Sequence, residues 1–276
     1  MTKWVKSFFA SFKARKNLGR SYLVDIMTVF IIALLVIGFG NILNTKAFEI
    51  SNGKTTDEIN ALILAGNIVD QEQFLNSMKS FTFYFIFGSL ILLIAVLMLF
   101  SLSRKYLWSK LTNKEFKVKK QLWRWTGLNV IIFIFLLIYL LVYVVLRLIL
   151  NYFLVNFSTN ISNYILSIIS SILILFFLSF CFLIYLSFIN RYKIWESIGA
   201  GFSLFKQNLK KILIVIFFST LSLIIISLLL IPVNRHFLYQ PNLLLVINSA
   251  VLLLFLAWFR MYILESLGEM KTDRQQ

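Results

Sequence analysis

Long apolar runs, separated by short polar segments, dominate the chain. Six windows are apolar over a length that reaches or approaches a membrane span: 22–40, 81–102, 127–150, 164–188, 212–232 and 243–259. A helix of about 20 such residues crosses roughly 30 Å of hydrocarbon. The pattern therefore predicts an all-α polytopic membrane bundle of six transmembrane helices. We expect three hairpins in a single membrane domain over 1–276.

Each hairpin is expected to follow a basic, aromatic segment that forms an amphipathic helix. The three segments are residues 3–18, 103–126 and 190–211. In the third, Trp195, Phe202 and Leu209 lie seven residues apart and so share one helical face. Such a helix lies in the headgroup layer, with its rings toward the acyl chains and its lysines near lipid phosphate. The expected headgroup contacts are Trp4, Lys13, Trp108, Lys117, Trp195, Lys206, Lys210 and Lys211.

The order of these features recurs along the chain. A tryptophan segment, a basic cluster, a span, a loop, a second span and an arginine with a tyrosine follow one another, starting near Trp4, Trp108 and Trp195. Internal repetition of one hairpin unit is one interpretation. The other is that any helix end at this side of a membrane collects arginine, tyrosine and tryptophan.

Composition and charge narrow the class of protein. Hydrophobic residues make up 60% of the chain and charged residues 14%, and the 29 phenylalanines exceed what a soluble core can hide. The net charge of +16 could suggest nucleic acid, but the basic residues alternate along the chain. Lys and Arg number 22 in the segments 1–20, 103–126, 190–211 and 260–276. The intervening loops 41–80 and 233–242 carry 3 and 1.

This positive-inside bias predicts that both termini are cytoplasmic, and it excludes nucleic acid as the partner. We expect anionic lipid on the cytoplasmic side, where each Lys or Arg gains about 1 kcal/mol near the surface. A protein partner is also possible, and the sequence does not indicate its identity. The basic opening does not have the form of a cleavable signal peptide, although it also fits a mitochondrial presequence.

Few charged residues fall inside the spans. Asp25 lies about one turn inside the first span, where an ionisable side chain suggests a functional site. A structural pair with Arg260 is favoured, with Arg20 as the other nearby cation and a proton or ion site as the alternative. Arg147 is expected to snorkel to the outer headgroups, with contact to a transported substrate as the alternative. Gly199 and Gly201 predict a bend or a close helix contact.

The outer segment 41–80 contains two capping patterns, Thr55 with Glu58 and Asp70 with Gln73, which predict two short helices. They would form a connection, a lid or a partner surface. The single histidine, His236, lies in the last outer loop without clustered cysteines or acids. We therefore predict no metal site, no cofactor and no catalytic residues.

The hairpin arrangement resembles a set of six-span prokaryotic membrane proteins related to the membrane region of glycerophosphodiester phosphodiesterases. The resemblance lies in WESIGAGFSLFKQNLKK at 195–211 and AWFRMY at 257–262. The phosphodiesterase domain, with its histidine and acidic catalytic residues, has no counterpart here. The resemblance implies a scaffold in a prokaryotic cell membrane, and not hydrolysis.

Three functions remain open. The first is a non-enzymatic scaffold that organises lipid or a partner protein, which the basic aromatic segments favour. The second is a permease or channel-like transporter, in which Asp25 and Arg147 line a path. The third is an intramembrane enzyme acting on lipid, which is disfavoured because Asp25 is the sole acid in the six windows.

Overall fold

Helices make up almost all of the structure, a computed structural model that describes residues 3–13, 15–51, 58, 68–115, 121–154 and 158–268. Nine α-helices and one π-helical turn are described. They are α1 Lys3–Lys13, α2 Arg15–Ser51, α3 Ile68–Phe83, the π-helical turn Tyr84–Gly88, α4 Ser89–Leu111, α5 Leu122–Phe153, α6 Thr159–Arg191, α7 Ile194–Gln207, α8 Leu209–His236 and α9 Pro241–Leu267.

Six of the described helical stretches are long and apolar enough to cross a membrane. They are Lys16–Ile50, Glu72–Leu111, Leu122–Phe153, Ile161–Arg191, Leu209–His236 and Pro241–Leu267. The predicted all-α polytopic membrane bundle is therefore confirmed. The helices extend beyond the apolar windows: α2 has 37 residues, about 56 Å at 1.5 Å per residue. Polar residues beyond the hydrocarbon thus continue the same helices.

The outer segment 41–80 is more continuous with the spans than expected. Its first residues complete α2, and α3 leads through the π-helical turn Tyr84–Gly88 directly into α4. The second predicted short helix is therefore the beginning of a long helix. The first one lies outside the described residues except for Glu58. In this part of the chain Lys46 pairs with Glu49 at 2.7 Å and lies over the Tyr84 ring at 5.4 Å.

The chain divides into two compact units, residues 27–100 and a larger unit of 1–26 with 101–276. Within the larger unit α6 is central, because it contacts α5, α7, α8 and α9. Burial inside the protein reaches 61% over its apolar window, against 28% for α8. Leu183, Ile184 and Phe188 are completely buried on this helix. The packing of the larger unit is therefore organised around α6.

Helix α1 packs against protein as well as presenting aromatic rings to the surroundings. The Phe8 ring lies 5.6 Å from each of Phe218, Trp258 and Tyr262. Trp258 Nε1 donates a hydrogen bond to Ser11 Oγ at 2.9 Å. The predicted helix 3–18 is in fact two elements, since α2 begins at Arg15. The aromatic face of α1 thus packs partly against α8 and α9.

The three predicted amphipathic segments differ in the structure. Residues 3–13 and 194–207 form the separate helices α1 and α7. The described part of 103–126 consists of the end of α4, the beginning of α5 and a few connecting residues. No separate helix is present among those described residues. The segment around Trp108 therefore departs from the predicted pattern.

Candidate functional site

Asp25 lies between two arginines from distant parts of the chain. Asp25 Oδ2 accepts a hydrogen bond from Arg260 Nη2 at 3.1 Å, and Asp25 Oδ1 accepts one from Arg104 Nη2. Arg260 Nη1 also donates to Ser21 Oγ, one turn before Asp25 on α2. Asp25 and Arg260 are only 3% and 2% exposed. The residues predicted to pair are therefore in contact, and Arg104 joins them. We call Ser21, Asp25, Arg104 and Arg260 the charge cluster.

The charge cluster links the beginning of α2 to the ends of α4 and α9. Ser21 and Asp25 share one face of α2 because they are four residues apart. The Arg260 guanidinium also lies over the Phe182 ring of α6, 5.3 Å from its centre, so a cation–π contact adds to the ion pair. Both carboxylate oxygens of Asp25 are engaged. Such a group holds helices together, because one carboxylate is shared by arginines from two other helices.

A second polar connection, which we call the amide relay, crosses the core between α4, α5 and α6. Tyr185 Oη donates to Asn129 Oδ1 at 2.5 Å, and Asn129 Nδ2 donates to Ser101 Oγ at 2.8 Å. The rings of Trp108 and Trp125 stack on Tyr185 with centroids 5.8 and 6.0 Å away. All five side chains are buried. The relay satisfies the amide of Asn129 inside an apolar environment, where an unpaired amide would be costly.

Trp108 is therefore in the core, and not at the headgroups as expected. It is 1% exposed, because its face of α4 turns toward α6. A signal for this was present in the sequence. Ser101, Lys105 and Trp108 follow at steps of four and three, which places them on one helical face. Asn129, a lone amide in an apolar window, was a comparable signal that our sequence reasoning missed.

Helix α7 packs closely on α6 through a glycine. A Cβ built on Gly201 would lie 3.1 Å from the backbone Cα of Ile184, whereas one on Gly199 would meet nothing within 4 Å. Ser197 and Phe205 are buried on the same side as Gly201. Trp195 is 74% exposed on α7, and Phe202 is exposed as well. The helix is thus held on α6 and leaves the Trp195 ring exposed, while the exposed Phe202 ring also meets Phe180 of α6 edge-on at 6.4 Å.

Basic side chains close the end of α6 next to this helix. Lys114 Nζ donates to the carbonyl oxygen of Ile189 at 2.8 Å and to Asn190 Oδ1 at 2.7 Å. Tyr192 ends the helix in the left-handed region, with φ of 55°. Partial burial raises the pKa of its phenol. A cation at the last carbonyls satisfies groups that a helix end leaves without partners.

No family model, curated protein or solved structure matches this chain.

The remaining predicted contact residues occupy varied positions. Lys206 and Lys210 are exposed and Lys211 is partly buried, all near the junction of α7 and α8. Arg147 is exposed near the end of α5, a helix that contributes no residue to the charge cluster. The side chains of Trp4 and Lys13, and Lys117 as a whole, lie outside the described residues. No group of three or more His, Cys, Asp or Glu able to hold a metal occurs among the described residues.

Proposed function

We propose that this protein is a non-enzymatic membrane scaffold that gathers anionic lipid on the cytoplasmic side. The observation that carries the proposal is the placement of α7. Gly201 fixes one face of this helix on α6, while Trp195 and Phe202 are exposed on α7. Lys206 at its end and Lys210 in the first turn of α8 are exposed. An amphipathic helix with this arrangement binds a surface where acyl chains and anionic headgroups meet.

The charge cluster is evidence that the helices around α7 form a fixed framework. Transporters use polar groups in the membrane to bind and release a solute during a conformational change. Asp25 is instead held through both oxygens by Arg104 and Arg260. The proposal assigns no catalytic step, because this carboxylate is the sole acid in the six apolar windows and it is already engaged. A solute flux in liposomes that depends on the protein would replace the scaffold with the permease alternative.

The test measures lipid selectivity in bilayers. The variant Lys206→Gln, Lys210→Gln, Lys211→Gln is compared with wild type by electron paramagnetic resonance of spin-labelled phosphatidylglycerol and phosphatidylcholine. Each lysine near an anionic surface contributes about 1 kcal/mol at most, so we expect the preference for phosphatidylglycerol to fall several-fold. The matched control neutralises three cations of the segments 41–80 and 233–242, Lys46, Lys79 and Arg235, and should retain the preference. An unchanged preference in the first variant would overturn the proposal.

A further inference from the structure

A groove of about 350 Å³, with both polar and apolar lining residues, lies between the last turns of α6 and the second half of α7. Three polar lining residues come from α6, namely Ser187, Asn190 and Arg191, and two come from α7, namely Ser203 and Gln207. Small side chains on both helices leave this space beside the close contact at Gly201. The groove is large enough for a phosphate group with a short polar substituent.

The hydroxyl of Ser187 is the unusual group in the groove. Its side chain is 4% exposed, and its Oγ has no hydrogen-bond partner among the described residues. Three other serines on α6, Ser170, Ser171 and Ser179, donate to the carbonyl four residues earlier at 2.6, 2.9 and 2.7 Å. Ser187 makes no such bond. A buried hydroxyl without a partner is costly unless a ligand in the groove accepts its hydrogen bond.

The other groups around the groove favour an anion. The exposed Arg191 supplies a guanidinium, and Gln207 Nε2 donates to Ser203 Oγ at 3.2 Å. Lys114 adds a cation beside the groove through its bond to Asn190. The nearest acid in sequence, Glu196, is already paired with Lys193 at 2.7 Å. Hydroxyls, an amide and a guanidinium around one space are suited to phosphate oxygens, which accept several hydrogen bonds at once.

We infer that this groove binds the phosphate group of an anionic phospholipid headgroup. The same donors would accept a free phosphate ester, so the chemistry is shared between a membrane source and a soluble source. The inference rests on the proposed function, since it defines one place at which the scaffold holds lipid. It differs from the general attraction of the lysines because it requires Ser187 and Arg191.

The experiment measures the binding of added phosphatidylglycerol to the full chain in detergent by native mass spectrometry. The variants Ser187→Ala and Arg191→Gln each remove one donor, and Ala200→Leu fills the groove. Each is expected to weaken the tightest bound lipid about tenfold, the scale of one charge-assisted hydrogen bond. Ser179→Ala is the matched control, because that serine is equally buried on α6 but donates within its own helix. It should retain wild-type affinity.

The outcomes separate the two sources and the two proposals. Competition by glycerol phosphate that displaces lipid only from proteins with an intact groove supports the phosphate chemistry. If glycerol phosphate binds but the groove variants leave the affinity for phosphatidylglycerol unchanged, the phosphate that the groove binds does not come from a phospholipid. Unchanged lipid affinity in Ser187→Ala, Arg191→Gln and Ala200→Leu would overturn the groove inference. If the lysine variant still lowers selectivity in bilayers, the proposed function survives that result.

Discussion

Replacing Asp25 by Asn removes the negative charge between two arginines while keeping the size of the side chain. Arg260 Nη2 is 3.1 Å from the carboxylate, and at this separation two unit charges attract by about 5 kcal/mol at an effective dielectric constant of 20. Desolvation offsets part of that attraction. Removal of one partner from a buried pair costs about 3–5 kcal/mol. We expect Asp25→Asn to lower the free energy of unfolding by that amount, since it leaves buried guanidinium charge without its carboxylate.

A double-mutant cycle separates the pair from the size of the side chains. Arg260→Gln should cost less than Asp25→Asn, because Asp25 then keeps Arg104. The double variant should lose at least about 1 kcal/mol less unfolding free energy than the two single variants lose in sum. The reason is that a neutral side chain at position 260 has no charge for the carboxylate to compensate. Glu196→Gln is the matched control for an exposed pair. Its partner Lys193 is 66% exposed at the side chain, so its cost should stay below about 1 kcal/mol.

The assay is unfolding by sodium dodecyl sulfate in mixed micelles, followed by tryptophan fluorescence. Trp108, Trp125 and Trp258 are buried at 1, 0 and 4% exposure, so loss of packing changes their emission. If the effects of Asp25→Asn and Arg260→Gln add to within about 0.5 kcal/mol, the two residues act independently. The charge cluster would then not stabilise the fold through this ion pair.

Three further predictions use the same unfolding assay or hydrogen exchange. Gly201→Ala should cost about 1–3 kcal/mol through overpacking against the α6 backbone, whereas Gly199→Ala should stabilise by up to about 1 kcal/mol; equal effects would contradict the close contact. Tyr185→Phe should cost about 1–2 kcal/mol by breaking the amide relay, and an unchanged midpoint would show that the relay adds nothing. Phe8→Ala should speed amide exchange across α1 at least about tenfold, while the half-exposed Phe9→Ala should not.

The spans could be predicted because a long apolar run has few other stable structures in a membrane. The contact of Asp25 with Arg260 could also be predicted, since both are charges just inside the same side of the bundle. Arg104 was harder to place. Which face of α4 turns inward depends on packing between helices far apart in sequence. The inward turn of Trp108 follows from that same packing.

The groove at Ser187 could not be predicted from the sequence, because it depends on how closely α7 approaches α6 and on how a serine side chain is rotated. Seven residues of one chain segment, from Ser197 to Ser203, mix serine, glycine and aromatic positions in a way that fits both a bend and a close contact. Only the three-dimensional approach of Gly201 to Ile184 decides between them. Whether a serine bonds within its own helix is likewise a matter of side-chain rotation, which composition and spacing do not specify.

The two partners of Asp25 are synthesised at very different times. Arg104 follows it by 79 residues and Arg260 by 235, which correspond to about 4–16 s and about 12–47 s at 5–20 residues per second. During translation Arg104 is therefore synthesised first, together with α4. The second counter-ion arrives only with the last span. A nascent chain that contains α2 and α4 thus already carries one arginine partner for Asp25, and α9 later adds the other.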